Sequence, residues 1–271
     1  MNDALHGTAA LPRLDVVSQG AGRLVVLIHS SMAGARQWTR LMGELADRYE
    51  SRAVNLFGYG GTPVWPHAEP PTLENYADAV VAAVPADAEG VSVVGHSFGG
   101  AVAMEVARRL GARVEKLILI EPSLFYLLHL HGRTEAFDEI SGLSRRMDLG
   151  TAAPEAAAEQ FITYWGGPEA WRTNSDERKA AFIRGVPVVS HEWNAVFRGD
   201  TRREAWARLL PERTMLLSSR APKRPSREIM ELLIEACPAW RLTQIGDGGH
   251  MAPLTHPQLI NPVVRAFLDE A

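Results

Sequence analysis

The chain holds a single cysteine, Cys237, among its 271 residues. One thiol closes no internal disulfide and builds no cysteine metal cluster, so a disulfide scaffold and a zinc ribbon are both excluded. Basic residues are not in excess: 28 lysines and arginines stand against 32 aspartates and glutamates, a formal charge of −4. That balance gives no electrostatic footprint for nucleic acid or for an acidic membrane surface. Long apolar runs are missing as well. The most apolar stretch, Leu117 to Leu130, is interrupted by Glu121 and Pro122 and is too short for a membrane span. The opening MNDALHGTAALPRLDVV lacks a basic start followed by an apolar run, so no secretory signal is expected and the cytoplasm is the default location. Neither Gly-x-Gly-x-x-Gly nor a phosphate-loop lysine occurs, which removes the argument for a nucleotide. No internal repeat, no low-complexity tract and nothing that fixes an oligomeric state is found.

What is present is the composition of a globular α/β chain, 46% hydrophobic and 22% charged. Its length suits one large domain with an insertion. Short apolar runs alternate with helical patterns. RLVVLIH (23–29), SRAVNL (51–56), VSVVG (91–95), KLILIE (116–121), TMLLSS (214–219) and AWRLTQI (239–245) read as strands. Their near-continuous apolar character suits strands covered on both faces. Residues 36–48, 73–84, 98–110, 226–236 and 257–269 carry helical spacing, and Gly111 is placed to end the third. The alternation predicts a doubly wound, mostly parallel sheet. Residues 122–212 break the rhythm with helical segments and no convincing strand, far too long a stretch for a loop. They are expected to form a helical cap inserted into a core made of 1–121 and 213–271.

One junction carries chemistry. VSVVGHSFGG runs an apolar strand into Gly95-His96-Ser97-Phe98-Gly99 and then into a helix. Gly-x-Ser-x-Gly alone arises by chance in about one chain in ten of this length, so context must supply the specificity. A sharp strand-to-helix turn holds a serine at its tip and demands small residues two positions to either side. The helix start adds unpaired N–H groups where an oxyanion would form. The plain alternative is a glycine-rich turn with a bystander serine.

The chain resembles the α/β-hydrolase fold superfamily from about Arg23 to its end. LIHSSMAG, NLFGYGGT, GHSFGG and GDGGHMAPLTHP carry the resemblance together. It implies an α/β sheet with an inserted helical cap and a serine, an acid and a histidine in that chain order. By this resemblance Ser97 is the nucleophile and His250 the base. The amides of Phe98 and Ser31 form an oxyanion hole, although Ser30 stands where the family often has glycine. His250 also follows the last strand pattern through a flexible GDGG loop. His96 is expected to pack or to orient.

The acid departs from the pattern. LLSSRAPKRPSR, after the strand that usually precedes it, contains no carboxylate from Leu216 to Arg227. Glu121, ending KLILI before Pro122, is the candidate at another strand end; Asp247 and a dyad without an acid are the alternatives. The insertion is aromatic-rich, and Trp38, Phe125, Trp165, Trp193 and Met251 are candidate walls of an apolar pocket. The basic run RAPKRPSR (220–227) is read as a solvated loop. The expected activity is that of a serine hydrolase on a small carboxylic ester, thioester or lactone, without metal or organic cofactor. The expected partner is a small acyl substrate. Carbon–carbon bond hydrolysis, lyase or perhydrolase chemistry and a non-catalytic binding protein are the alternatives.

Overall fold

A computed structural model describes residues 11–270. The first ten residues of the stretch that argued against a secretory signal lie outside the described residues. The chain begins with β1 (Asp15–Gln19) and β2 (Arg23–Ile28), then passes a 3-10 turn (Ala35–Trp38) into α1 (Thr39–Leu45) and β3 (Tyr49–Asn55). α2 (Leu73–Ala82), β4 (Val91–His96), α3 (Phe98–Leu110) and β5 (Val114–Ile120) follow. Five helices come next: α4 (Phe125–Leu130), α5 (Thr134–Arg146), α6 (Pro154–Gly166), α7 (Asp176–Phe197) and α8 (Arg203–Leu209). β6 (Thr214–Ser218), α9 (Arg224–Ala236), β7 (Arg241–Gln244), α10 (Ala252–Thr255) and α11 (Pro257–Asp269) complete the chain.

The strands form one sheet in the order β1-β3-β2-β4-β5-β6-β7, parallel except for β1. Alternation along the central strands shows why both faces are covered. In β2, Leu24, Val26 and Ile28 enter one hydrophobic cluster, and Val25 and Leu27 enter the other. In β5, Leu117 and Leu119 join the first, while Ile118 and Ile120 join the second. Successive side chains point to opposite faces, so strands apolar at every position must be packed twice. Residues of α2, α3 and α9 cover the first face; those of α1, α10 and α11 cover the second.

The excursion between β5 and β6 carries helices alone among the described residues. Its Phe125, Trp193 and Trp206 belong to the same cluster as Val93 and Leu119 of the sheet. The insertion therefore shares the hydrophobic core of the first face. Trp206 is fully buried, and its indole N–H donates to the Tyr126 hydroxyl at 2.9 Å, tying α8 to α4.

Several boundaries differ from the sequence reading. β1 was not expected: DVVSQ is half-exposed to exposed throughout and pairs antiparallel at the sheet's edge, so it shows no buried pattern. The helix expected over 36–48 is a 3-10 turn followed by a shorter α1. The last strand is only Arg241–Gln244, because this opposite edge is largely solvent-facing. The run 220–227 is not wholly loop, since α9 starts at Arg224 with Pro225 in its first turn, where its missing N–H costs no hydrogen bond.

Candidate active site

β4 delivers Ser97 to the carboxyl edge of the sheet, between the strand and α3. Its φ of 55° and ψ of −119° are unusual for a residue with a side chain, and such strain concentrates at functional sites. The surrounding small residues are required by close approach. A Cβ on Gly95 would run into the Gly99 carbonyl oxygen, and one on Gly99 would strike the carbonyls of Ile28 and His29. Gly100 is constrained by a neighbour the sequence did not reveal: its Cβ would lie 2.9 Å from Pro122 Cβ.

His250 arrives from the loop between β7 and α10, and Glu121 from the end of β5. The three side chains form one hydrogen-bonded chain. The His250 Nδ1–H donates to Glu121 Oε2 at 2.7 Å. Its Nε2 then accepts from the Ser97 hydroxyl at 2.9 Å. This tautomer follows from the carboxylate, which has only acceptors when ionised. The other carboxylate oxygen, Oε1, accepts from the Ser219 amide at 2.8 Å and its hydroxyl at 2.6 Å. Burial acts to raise the Glu121 pKa, but the bonds from His250 and Ser219 outweigh it and hold the carboxyl at about 2. Glu121, with a φ of 42°, is also in the left-handed region. The alternative acid, Asp247, is exposed.

A second network fixes the histidine's main chain. The His96 Nε2–H donates to the His250 carbonyl at 2.9 Å, and its Nδ1 accepts from the Gln37 amide at 3.1 Å. The Gln37 side-chain oxygen accepts from the Ser30 amide at 3.0 Å and the Ser30 hydroxyl at 2.9 Å. Desolvation dominates at His96 and lowers its pKa to about 3, so the ring stays neutral as this bond pattern requires. Around the loop after β2 the amides of Ser30, Met32 and Ala33 are all engaged, by Gln37, the Tyr59 hydroxyl and the Ser30 carbonyl. The Ser31 N–H has no acceptor among the described residues, and that of Phe98 is at the first helical position, where no intrahelical acceptor exists.

Ser97, Ser31 and Phe98 line a small chamber of about 20 Å³, with Phe125, Trp165 and Trp193 in its walls. That is room for about one water molecule. Beyond it opens a cleft of about 1080 Å³, bordered by His250, Met251, Arg36, Arg178 and Lys223. Ser31, Phe161 and Trp165 line both spaces and form the partition between them. The Trp165 ring lies 4.1 Å from the His250 ring, centroid to centroid. One pocket residue is corrected: Trp38 lines neither space. It ends the 3-10 turn and is buried in the cluster on the opposite face of the sheet, with Leu27 and Ile118.

Four residues near the site were not foreseen. Ser123 places its hydroxyl 3.2 Å from the Ser97 hydroxyl. Ser219 and Gln37 act as described above. Glu192, on α7, lines the chamber, is buried, and accepts from the Tyr59 hydroxyl at 2.8 Å. Its sequence signal was a carboxylate on an apolar helix face, three residues after Val189 and four before Val196. Chemically, the arrangement can pass a serine proton to a neutral imidazole and hold the resulting cation against a buried anion.

Among known proteins, the model of the alpha/beta hydrolase family matches residues 25–263. A pimeloyl-[acyl-carrier protein] methyl ester esterase of Aromatoleum aromaticum is 28% identical over 89% of this chain and 98% of its own. A 2-hydroxymuconate semialdehyde hydrolase of Pseudomonas sp. (strain CF600) is 26% identical over 97% and 93%. The crystal structure of a hydrolase from Pseudomonas aeruginosa superposes with a TM-score of 0.73 at 20% identity, covering 95% of this chain and 94% of that one.

Proposed function

The chain belongs to the alpha/beta hydrolase family, and from that membership we propose that it is a serine hydrolase acting on a small carboxylic ester, thioester or lactone. The observation that carries this reading is the continuous bond chain Glu121–His250–Ser97, ending on a hydroxyl held at a strained turn. The Ser97 proton moves to His250 Nε2 as Oγ bonds to the substrate carbonyl carbon, and the carbonyl π pair becomes an oxyanion. The amides of Ser31 and Phe98 hold that oxyanion, which a low-dielectric site rewards most strongly. Collapse re-forms the carbonyl and breaks the bond to the leaving oxygen or sulfur, which takes the proton from His250. Water then loses a proton to His250 and attacks the acyl-enzyme; collapse releases the acid and returns the proton to Ser97. Glu121 stays ionised, orienting the imidazole and offsetting its transient charge.

The bonded acid also supports catalysis over the non-catalytic binding reading. The family likeness extends to a relative whose named substrate is a semialdehyde rather than an ester. Hydrolysis of a carbon–carbon bond beside a carbonyl, on the same groups, is therefore the second reading. A fluorophosphonate probe tests the first step directly. Ser97 should take the label at neutral pH, and Ser97→Ala should abolish both labelling and p-nitrophenyl acetate hydrolysis. A folded protein whose Ser97 stays unlabelled would sink the reading.

A further inference from the structure

Glu192 is the buried acid that the proposed cycle does not use. It comes from the insertion, not the sheet, and it shares the chamber with Ser97. Its two oxygens are not equivalent. Oε1 accepts from the Tyr59 hydroxyl, whose own oxygen is occupied by the Met32 amide at 2.9 Å. Oε2 is buried without a hydrogen-bond partner, and no lysine, arginine or histidine forms an ion pair with Glu192 among the described residues. Trp193, the next residue on the chamber wall, also buries its indole N–H without an acceptor.

A buried carboxylate with no cation is expensive, and the group neutralises instead. Burial is the largest influence on Glu192 and pushes its pKa up to about 7, against the opposing pull of the nearby Ser31 side chain and of the Tyr59 hydroxyl. Because Oε1 is committed as an acceptor, the proton belongs on Oε2. The chamber wall therefore presents an O–H donor that makes no hydrogen bond within the protein, with the Ser31 side chain beside it on the same wall. Native proteins rarely leave such a group unpaired without a functional reason.

We infer that Glu192 is a specificity-determining residue that receives an uncharged oxygen, a ketone or hydroxyl, carried on the acyl part of the substrate a few bonds from the scissile carbonyl. Ser97 and Glu192 line the same narrow chamber, whose walls must part for any acyl group to enter, so the oxygen that meets Glu192 belongs only a few bonds from the carbonyl on Ser97. An unsubstituted alkyl group would leave the O–H unmet. A substrate carboxylate there would be a buried charge without a cation. Sites that hydrogen-bond a substrate group reject analogues lacking it far more strongly than apolar pockets discriminate size.

This inference rests on the hydrolase reading, and two measurements separate their failures. The first is kcat/KM for p-nitrophenyl 4-oxopentanoate against pentanoate, and for 3-hydroxybutanoate against butanoate. The oxygenated ester of each pair should be favoured by roughly 10-fold or more. Glu192→Leu should reduce that ratio to near one. Glu192→Gln should keep it, because the amide oxygen still accepts from Tyr59 while its NH2 group donates into the chamber. The second is binding of methyl 4-oxopentanoate and methyl pentanoate to Ser97→Ala protein, measured by isothermal titration calorimetry, which needs no turnover. Preference for the oxo ester, lost in the Ser97→Ala, Glu192→Leu double variant, supports the subsite even if no ester is cleaved. Equal binding of the two esters to Ser97→Ala protein, or a preference that survives Glu192→Leu, overturns it. Absence of any ester turnover with the binding preference intact counts against the hydrolase reading alone.

Discussion

Ser97 and Glu121 occupy the ends of neighbouring parallel strands, and both backbones are left-handed there, at φ 55° and 42°. The turn at each strand end aims a side chain across the sheet edge toward the same imidazole. On the proposed mechanism, Glu121→Gln removes the anion and invites the wrong histidine tautomer, since an amide can donate to Nδ1. Turnover should fall by about 10⁴-fold. Fluorophosphonate labelling should slow while remaining on Ser97, a result checked by mass spectrometry of the labelled peptide. Turnover within a few-fold of the parent would show that His250 does not depend on this carboxylate. The structure brings together Ser97, His250 and Glu121, the three candidates that the sequence offered by family resemblance and by interrupted patterns: glycines around a serine, a glycine loop after the last strand, an acid terminating an apolar strand before proline. Glu192 was overlooked, because a glutamate in a helix ordinarily faces water and the apolar face around it, Val189 and Val196, was a weak signal. Only the packing of α7 against α6, α4 and α3 turns that position inward.

At the level of elements, α6 and α7 decide what reaches Ser97. Trp165, near the end of α6, lines both the chamber and the cleft and lies tilted at 32° against the His250 ring. Trp165→Ala should merge the two spaces and raise kcat/KM for hexanoyl relative to acetyl p-nitrophenyl ester by about 10-fold. Losing a buried tryptophan should also cost roughly 3–5 kcal/mol of stability, read from urea unfolding. An unchanged chain-length profile in a folded variant would mean that Trp165 is not the partition. The same scale explains which elements the sequence disclosed. α3 and α11 were read to the residue, because their periodicity is bounded by Ser97 and Gly111 in one case and by Pro257 in the other. β2, β4, β5 and β6 announced themselves as apolar at nearly every position. β7 was read as 239–245 and is shorter than that, and β1 was not read at all, since edge strands here bury little and carry no comparable pattern. Trp38 was misassigned for a related reason: an aromatic beside the loop after β2 can turn to either face of the sheet, and the 3-10 turn sends this one away from the site.

For the whole molecule, four buried titrating groups pull stability in opposite directions with pH. Desolvation lowers His29 to about 4 and His96 to about 3 from an ordinary value of 6.5. Both are neutral when folded, so the unfolded chain binds more protons below pH 6.5 and acidification costs stability. Glu121 has the same sign: held at about 2 against an ordinary 4.5, its contribution is present above 4.5 and is lost as pH falls toward 2. Glu192 has the opposite sign. Raised by burial to about 7 from 4.5, it contributes fully below 4.5 and loses that contribution as pH rises through 7. Between pH 4.5 and 6.5 two histidines outweigh one glutamate, and above 6.5 only Glu192 still acts. From these groups stability should therefore peak near pH 6.5, fall steeply below 4.5, and decline slightly toward pH 7. The groups facing Glu192, Tyr59 and Tyr76, have hydroxyls raised well above their ordinary value, so they stay neutral across this range. Glu192→Gln removes the one opposing contribution. Urea midpoints from pH 3 to 8 should show the variant gaining on the parent progressively from 4.5 to 7, with a constant difference outside that window. A difference that is flat throughout would show that Glu192 ionises at an ordinary pH and offers no protonated oxygen to a ligand near neutrality.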